Sequence, residues 1–173
     1  MLSESLKPIG FGTFEQEPWE DFRARLSIPA DGPASQFYRQ VVYDHFVHFN
    51  EHYPDFVLSD YEFKDLLLTA QQARDQIRFF RGDTLDNWGM QYDEFEARNH
   101  DYVIYQSMAK AKTFPFPPIL LDASRLSGTG WRECGKPLHL VEGTHRVSYL
   151  RRMLARQIVT PDSKHSFVLL KPK

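Results

Sequence analysis

The stretch HLVEGTHRVSYLRRMLA, His139 to Ala155, decides how this chain is read. An apolar run ends in Glu142-Gly143-Thr144-His145-Arg146, and a basic helical pattern starts at once. A strand that passes directly into a helix leaves the first backbone N–H groups of that helix unpaired. Those donors and the helix dipole favour an anion. Gly143 permits close backbone approach. Thr144 can cap the helix or donate to a phosphate oxygen. Arg146 can grip phosphate through two parallel bonds, and His145 can act as donor, acid or base near neutral pH. Glu142 beside an anion suits a metal ligand, a general base or a partner for Arg146. An internally satisfied turn uses the same residues, with Thr144 as cap, His145 on a carbonyl and Arg146 on Glu142.

Around this turn the pattern is regular. FPFPPILLDAS (114–124) has prolines that exclude a helix, followed by a short buried strand, Ile119 to Leu121. PLHLV (137–141) reads as a second strand, Thr144 to about Arg156 as a helix, and HSFVLL (165–170) as a closing strand. Upstream, three helical patterns are expected. The first runs from Ser35 to Tyr53, with Tyr38, Val42, Phe46 and Phe49 at helical spacing. The second begins at Ser59, with Glu62 completing a capping box, and ends at Arg78, Arg81 and Gly82. The third runs from Gln91 to Lys112. A short helix starting at Pro18 precedes them. The expected class is α+β: a mainly helical region over 1–114 packed on a strand–loop–strand–helix–strand unit over 115–173.

The PPILLD strand, the apolar strand ending in EGTHR, the helix VSYLRRMLAR and the closing strand together resemble the ParB/sulfiredoxin-like fold. The likeness covers about residues 115–171. In that family a strand-end motif of the form Asp-Gly-x-His-Arg binds nucleotide phosphates at a helix N-terminus. The resemblance therefore implies that Gly143, Thr144, His145 and Arg146 hold phosphate, with Glu142 and His145 as the acid/base candidates. It implies ATP, ADP or CTP with magnesium as ligand. The position of the sulfiredoxin cysteine is Thr144 here, which argues against sulfiredoxin chemistry. No basic helix-turn-helix follows the unit, which argues against a chromosome-partition role.

Composition sets the outer limits. The chain has 173 residues, 42% apolar and 14% aromatic, enough for a sizeable core. No apolar run approaches a membrane span, the N-terminus lacks a signal-peptide pattern, and Cys134 is the single cysteine. A cytoplasmic protein with no membrane partner is expected. Residues 1–130 carry 12 Lys+Arg against 20 Asp+Glu, and residues 131–173 carry 9 against 3. A basic C-terminal part either faces an anionic ligand or is attracted to the acidic front.

Three further constellations stand out. His45, His48 and His52 lie along one helical face, with Asp44 and Glu51 near, and could bind zinc or simply be solvated. Asp83, Asp86, Asp93, Glu94 and Glu96 could hold magnesium, or serve as caps and a solvated helix face. Trp19, Trp88 and Trp131 fall in segments read as irregular; Trp131 is the foremost candidate for stacking on a base. The functional expectation is a nucleotide-dependent phosphotransferase, NTPase or nuclease acting at Glu142–Arg146. The alternative is a protein-interaction role, such as an immunity protein or antitoxin that covers a toxin. Direct nucleic-acid binding through 131–173 ranks last, because the remainder of the chain is acidic.

Overall fold

A computed structural model describes residues 1–80, 84–127, 131 and 133–173. Its helices are α1 (Trp19–Arg25), α2 (Gly32–Phe37), α3 (Asp44–His52), α4 (Ala70–Gln76), α5 (Thr84–Arg98), α6 (Val103–Ala111) and α7 (Thr144–Ala155). A π-helical turn, Tyr38–Tyr43, joins α2 to α3. The strands are β1 (Tyr61–Thr69), β2 (Ile77–Arg78), β3 (Ile119–Asp122), β4 (Leu138–Glu142) and β5 (Lys164–Pro172). They form one mixed sheet in the order β1-β5-β3-β4-β2. β5 pairs antiparallel with β1 and parallel with β3, while β4 pairs antiparallel with β3 and parallel with β2. The architecture is mixed α and β, as the sequence pattern implies. No helix among the described residues is long and apolar enough to cross a membrane.

Both faces of the sheet are covered. Ile119, Leu121, Val168 and Leu170 point into a core shared with Phe22, Phe37, Phe46 and Phe49 of the first helices. Leu120, Leu140 and Phe167 point the other way, against Ala73, Tyr92, Met108, Val147 and Leu150. Alternate side chains of one strand leave opposite faces, so a strand covered twice must be apolar throughout. That is why Ile119-Leu120-Leu121 is a continuous apolar run. Burial of each such side chain contributes roughly 1.5–3 kcal/mol.

The mainly helical front is interrupted by two strands that the sequence pattern did not indicate. The second expected helix, from Ser59, is a nine-residue strand followed by a short helix. Tyr61 and Phe63 pack into the first core, whereas Leu66 and Leu68 pack into the second. β1 changes its covered face along its length, and the change puts a three-residue step between Phe63 and Leu66. That step imitates helical spacing. The capping box is real but lies ten residues on, where Thr69 and Gln72 cap each other's backbone groups at the start of α4. Arg78 lies in β2, and Arg81 and Gly82, the expected helix stop, lie outside the described residues. Residues 1–114 thus supply two strands, and the sheet runs across the expected division at 114/115.

The third expected helix is two. α5 ends at Arg98, Asn99 takes a positive φ of 47°, and α6 starts at Val103. Asparagine tolerates the left-handed conformation that closes helices. α5 lies against α7, and the two are tied by charge. Asp93 binds Arg152 and Arg156, Glu96 binds Arg156 at 2.7 Å, and Asp86 binds Arg151 at 3.1 Å. The acidic front and the basic back therefore neutralise each other, at roughly 0.2–1 kcal/mol for each partly exposed pair. The carboxylates read as a magnesium or cap set are mostly counterions of α7. Asp83 lies outside the described residues.

Close approach of these helices needs Gly89. A Cβ there would sit 3.1 Å from the Ser148 carbonyl oxygen and 3.5 Å from Arg152 Cβ. Gly89→Val is expected to push α5 from α7 and to lower stability by about 2 kcal/mol, measured as a reduced urea midpoint at unchanged slope.

Candidate functional site

The turn after β4 is built by exclusion. Gly143 precedes α7 with φ at +109°, a region that favours glycine. A Cβ on it would lie 2.7 Å from Pro118 Cβ and 3.0 Å from Arg146 Nη2. No other residue fits. Gly143 is the N-cap residue, so Thr144 is the first helical residue and not the cap expected from sequence. Among the described residues no side chain caps the start of α7.

Arg146 is only 3% exposed. Its Nη1 donates to the carbonyls of Phe116 at 2.9 Å and Pro117 at 3.3 Å. Its Nη2 donates to Gln40 Oε1 at 2.8 Å and Glu142 Oε1 at 3.3 Å. The Phe116 ring lies 4.2 Å from the guanidinium carbon. Burial pushes the guanidinium down to about 10, against the pull of Glu142, so it stays charged at neutral pH. Arg146 is thus a tie that fastens the 116–117 segment, the π-helical turn and the end of β4 together.

Gln40 reaches this place because of the π-helical turn, a form found mostly as single turns and frequently at functional sites. Gln40 also donates from Nε2 to Pro117 O at 3.0 Å. The backbone then kinks at His45, which has φ −135° and ψ 28°. That kink sets Asp44 and His45 beside the α7 turn, with His45 Nε2 3.9 Å from Glu142 Oε2.

Together these elements enclose a cavity of about 500 Å³. Gly143, Thr144, His145 and Arg146 form one wall, with Glu142, Asp44 and His45 beside it. Trp88, Tyr102 and Phe116 supply aromatic surface. The His145 ring meets Trp88 at 4.8 Å and Tyr102 at 5.6 Å, both nearly edge to face. Burial lowers its pKa, Glu142 opposes the shift and Arg146 adds to it, so the imidazole is neutral at pH 7. The structure brings all five motif residues to one cavity. It adds Gln40, Asp44, His45, Trp88, Tyr102 and Phe116, which reading along the chain did not connect to them. Gln40 carried no signal, since it stands off the Tyr38, Val42 and Phe46 spacing.

Other expectations fall elsewhere. Trp131 is 9% exposed and packs in the first core near Tyr53, so the tryptophan at the cavity is Trp88. Trp19 packs on Phe22 and Tyr43. His45, His48 and His52 line an adjoining cavity of about 590 Å³. Among the described residues no three His, Cys, Asp or Glu side chains gather as a metal set. Cys134 is buried, and burial pushes its thiol up to about 11, which suits packing and not nucleophilic attack.

Below the site, His139 is fully buried. Its Nδ1 accepts from the Gly135 N–H at 3.1 Å, which places the ring proton on Nε2, 2.9 Å from the Tyr53 hydroxyl. Burial lowers its pKa to about 4.

A scan of protein-family profiles and searches of curated proteins and of solved structures find no match to this chain.

Two consequences can be measured. Gly143→Ala is expected to cost at least about 2 kcal/mol, since it adds strain at positive φ to a clash with Pro118; chemical denaturation reads it. His139 binds its proton more weakly when folded, so its stabilisation is complete above about pH 6.5 and is lost as pH falls towards 4. Its share of that loss is about 3 kcal/mol, and burial of His145 and His165 acts in the same direction. Unfolding free energies at pH 7 and pH 4.5, with the His139 ring followed by NMR, test this.

Proposed function

We propose that the cavity at the start of α7 binds a phosphate-bearing ligand: a nucleotide such as ATP, ADP or CTP, with magnesium. The observation that carries this reading is the start of a twelve-residue helix, uncapped by any side chain among the described residues, opening on an aromatic-walled cavity. Helix N–H groups and dipole attract phosphate. The rings of Trp88, Tyr102 and Phe116 suit a base. The resemblance of EGTHR to the ParB/sulfiredoxin-like motif supports the same choice.

Arg146 enters this reading as a positioning residue. Its guanidinium is occupied by protein oxygens and shapes the wall. Phosphate then rests on the helix start and on His145. Glu142 and Asp44 both line the cavity, and magnesium is commonly held by one or two carboxylates together with substrate phosphates. Its charge would offset theirs. Glu142 and the neutral His145 are the acid/base candidates for a phosphotransferase or NTPase reaction, or for a nuclease.

The same occupied guanidinium favours a second reading, in which the turn is scaffold and the chain acts by covering a protein partner, such as a toxin.

Calorimetric titration of the full chain with ATP, ADP and CTP plus magnesium separates the two. Saturable binding of at least one nucleotide is expected, weakened about tenfold, or about 1.4 kcal/mol, by His145→Ala. Arg146→Ala is expected to lose binding and thermal stability together, as a tie should. Absence of heat from a folded protein with all three nucleotides overturns the nucleotide reading and directs the work to partner capture.

A further inference from the structure

The adjoining cavity has a chemistry of its own. At about 590 Å³ it falls in the size range of small-molecule sites. It shares His45, Phe79 and Glu142 with the α7 cavity. Part of its lining is aromatic, supplied by Phe49, Tyr53, Phe79 and Phe80. Phe80 lies 5.3 Å from the His52 ring and 5.7 Å from Tyr53, so these rings make a continuous surface.

Glu51, Glu133 and Glu142 also line the cavity, together with His45, His48 and His52, and among the described residues no lysine or arginine does. Glu142 gives one oxygen to Arg146 and turns the other towards His45. Glu51 and Glu133 have no ion-pair partner among the described residues. Burial and the neighbouring His52 and His45 lower the pKa of His48, against the pull of Glu51 and Glu142. Carboxylates in a concave, partly apolar site concentrate cations, and aromatic faces attract them further. An anion would meet three carboxylates and no lysine or arginine among the described residues, and a neutral apolar molecule would leave the carboxylates unused.

We propose that this cavity binds a small organic amine with an apolar body, its positive charge attracted by the Glu51, Glu133 and Glu142 carboxylates and its body against Phe79 and Phe80. The assignment goes beyond the nucleotide reading and does not depend on it. If both hold, Glu142 stands between the two ligands, on the wall that the cavities share.

The test uses 2-phenylethylamine as probe, titrated into the full chain at pH 7 without nucleotide. The neutral 2-phenylethanol and the anionic 3-phenylpropionate are its controls. Calorimetry is expected to show saturable amine binding at least about tenfold tighter than the alcohol, and none of the carboxylate. Glu142→Gln is expected to weaken the amine about tenfold. Glu51→Gln, at an exposed position where folding is not at stake, is expected to weaken it about threefold. No amine binding by a protein that circular dichroism shows folded overturns the proposal. So does equal affinity for amine and alcohol, or amine binding indifferent to both substitutions. Nucleotide binding is not measured here, so either proposal can fail alone.

Discussion

Everything at the candidate site depends on one buried cation. The Arg146 guanidinium, almost out of water, must find acceptors for its donors or carry a large desolvation cost. It finds them in three separate parts of the chain: the Phe116 and Pro117 carbonyls, the Gln40 amide and the Glu142 carboxylate. Each partner is fixed by that demand. The irregular segment before β3 is drawn onto the α7 start, the π-helical turn is held in register, and Glu142 has one oxygen assigned. A structural tie of this kind also explains Gly143, since a side chain there would collide with both Pro118 and the guanidinium.

Charge elsewhere is spent in the same inward manner. Arg151, Arg152 and Arg156 meet Asp86, Asp93 and Glu96 across the α5–α7 contact. The excess of positive charge in the last 43 residues, visible in the sequence, therefore does not form an open basic surface along α7. The two adjoining cavities are mixed in character: helix N–H donors and rings line one, carboxylates and rings line the other, and Glu142 lines both.

The fold was partly legible along the chain. β3, β4, α7 and β5 are where apolar runs, prolines and the glycine turn place them, because local chemistry and tertiary demand agree there. β1 was not legible. Its apolar residues alternate correctly for a strand, but the covered face changes between Phe63 and Leu66, so the pattern along the sequence has helical spacing. The break between α5 and α6 had a signal in Asn99, and the box at Thr69–Gln72 had one in its spacing. Each was outweighed by a longer periodic run.

The sequence by itself determined that a strand ends at Glu142, that a glycine must follow, and that a helix begins carrying Thr144, His145 and Arg146 together. Those are consequences of backbone geometry within a few residues. Only the tertiary structure decided what these side chains do. Arg146 turns inward because Gln40 and two carbonyls, 106 and about 30 residues away, supply acceptors at the right distance. Trp88 replaces Trp131 at the cavity because α5 packs on α7 while Trp131 is covered by the first core. Burial and partnership are properties of the packed chain, and no local pattern encodes which distant group will arrive.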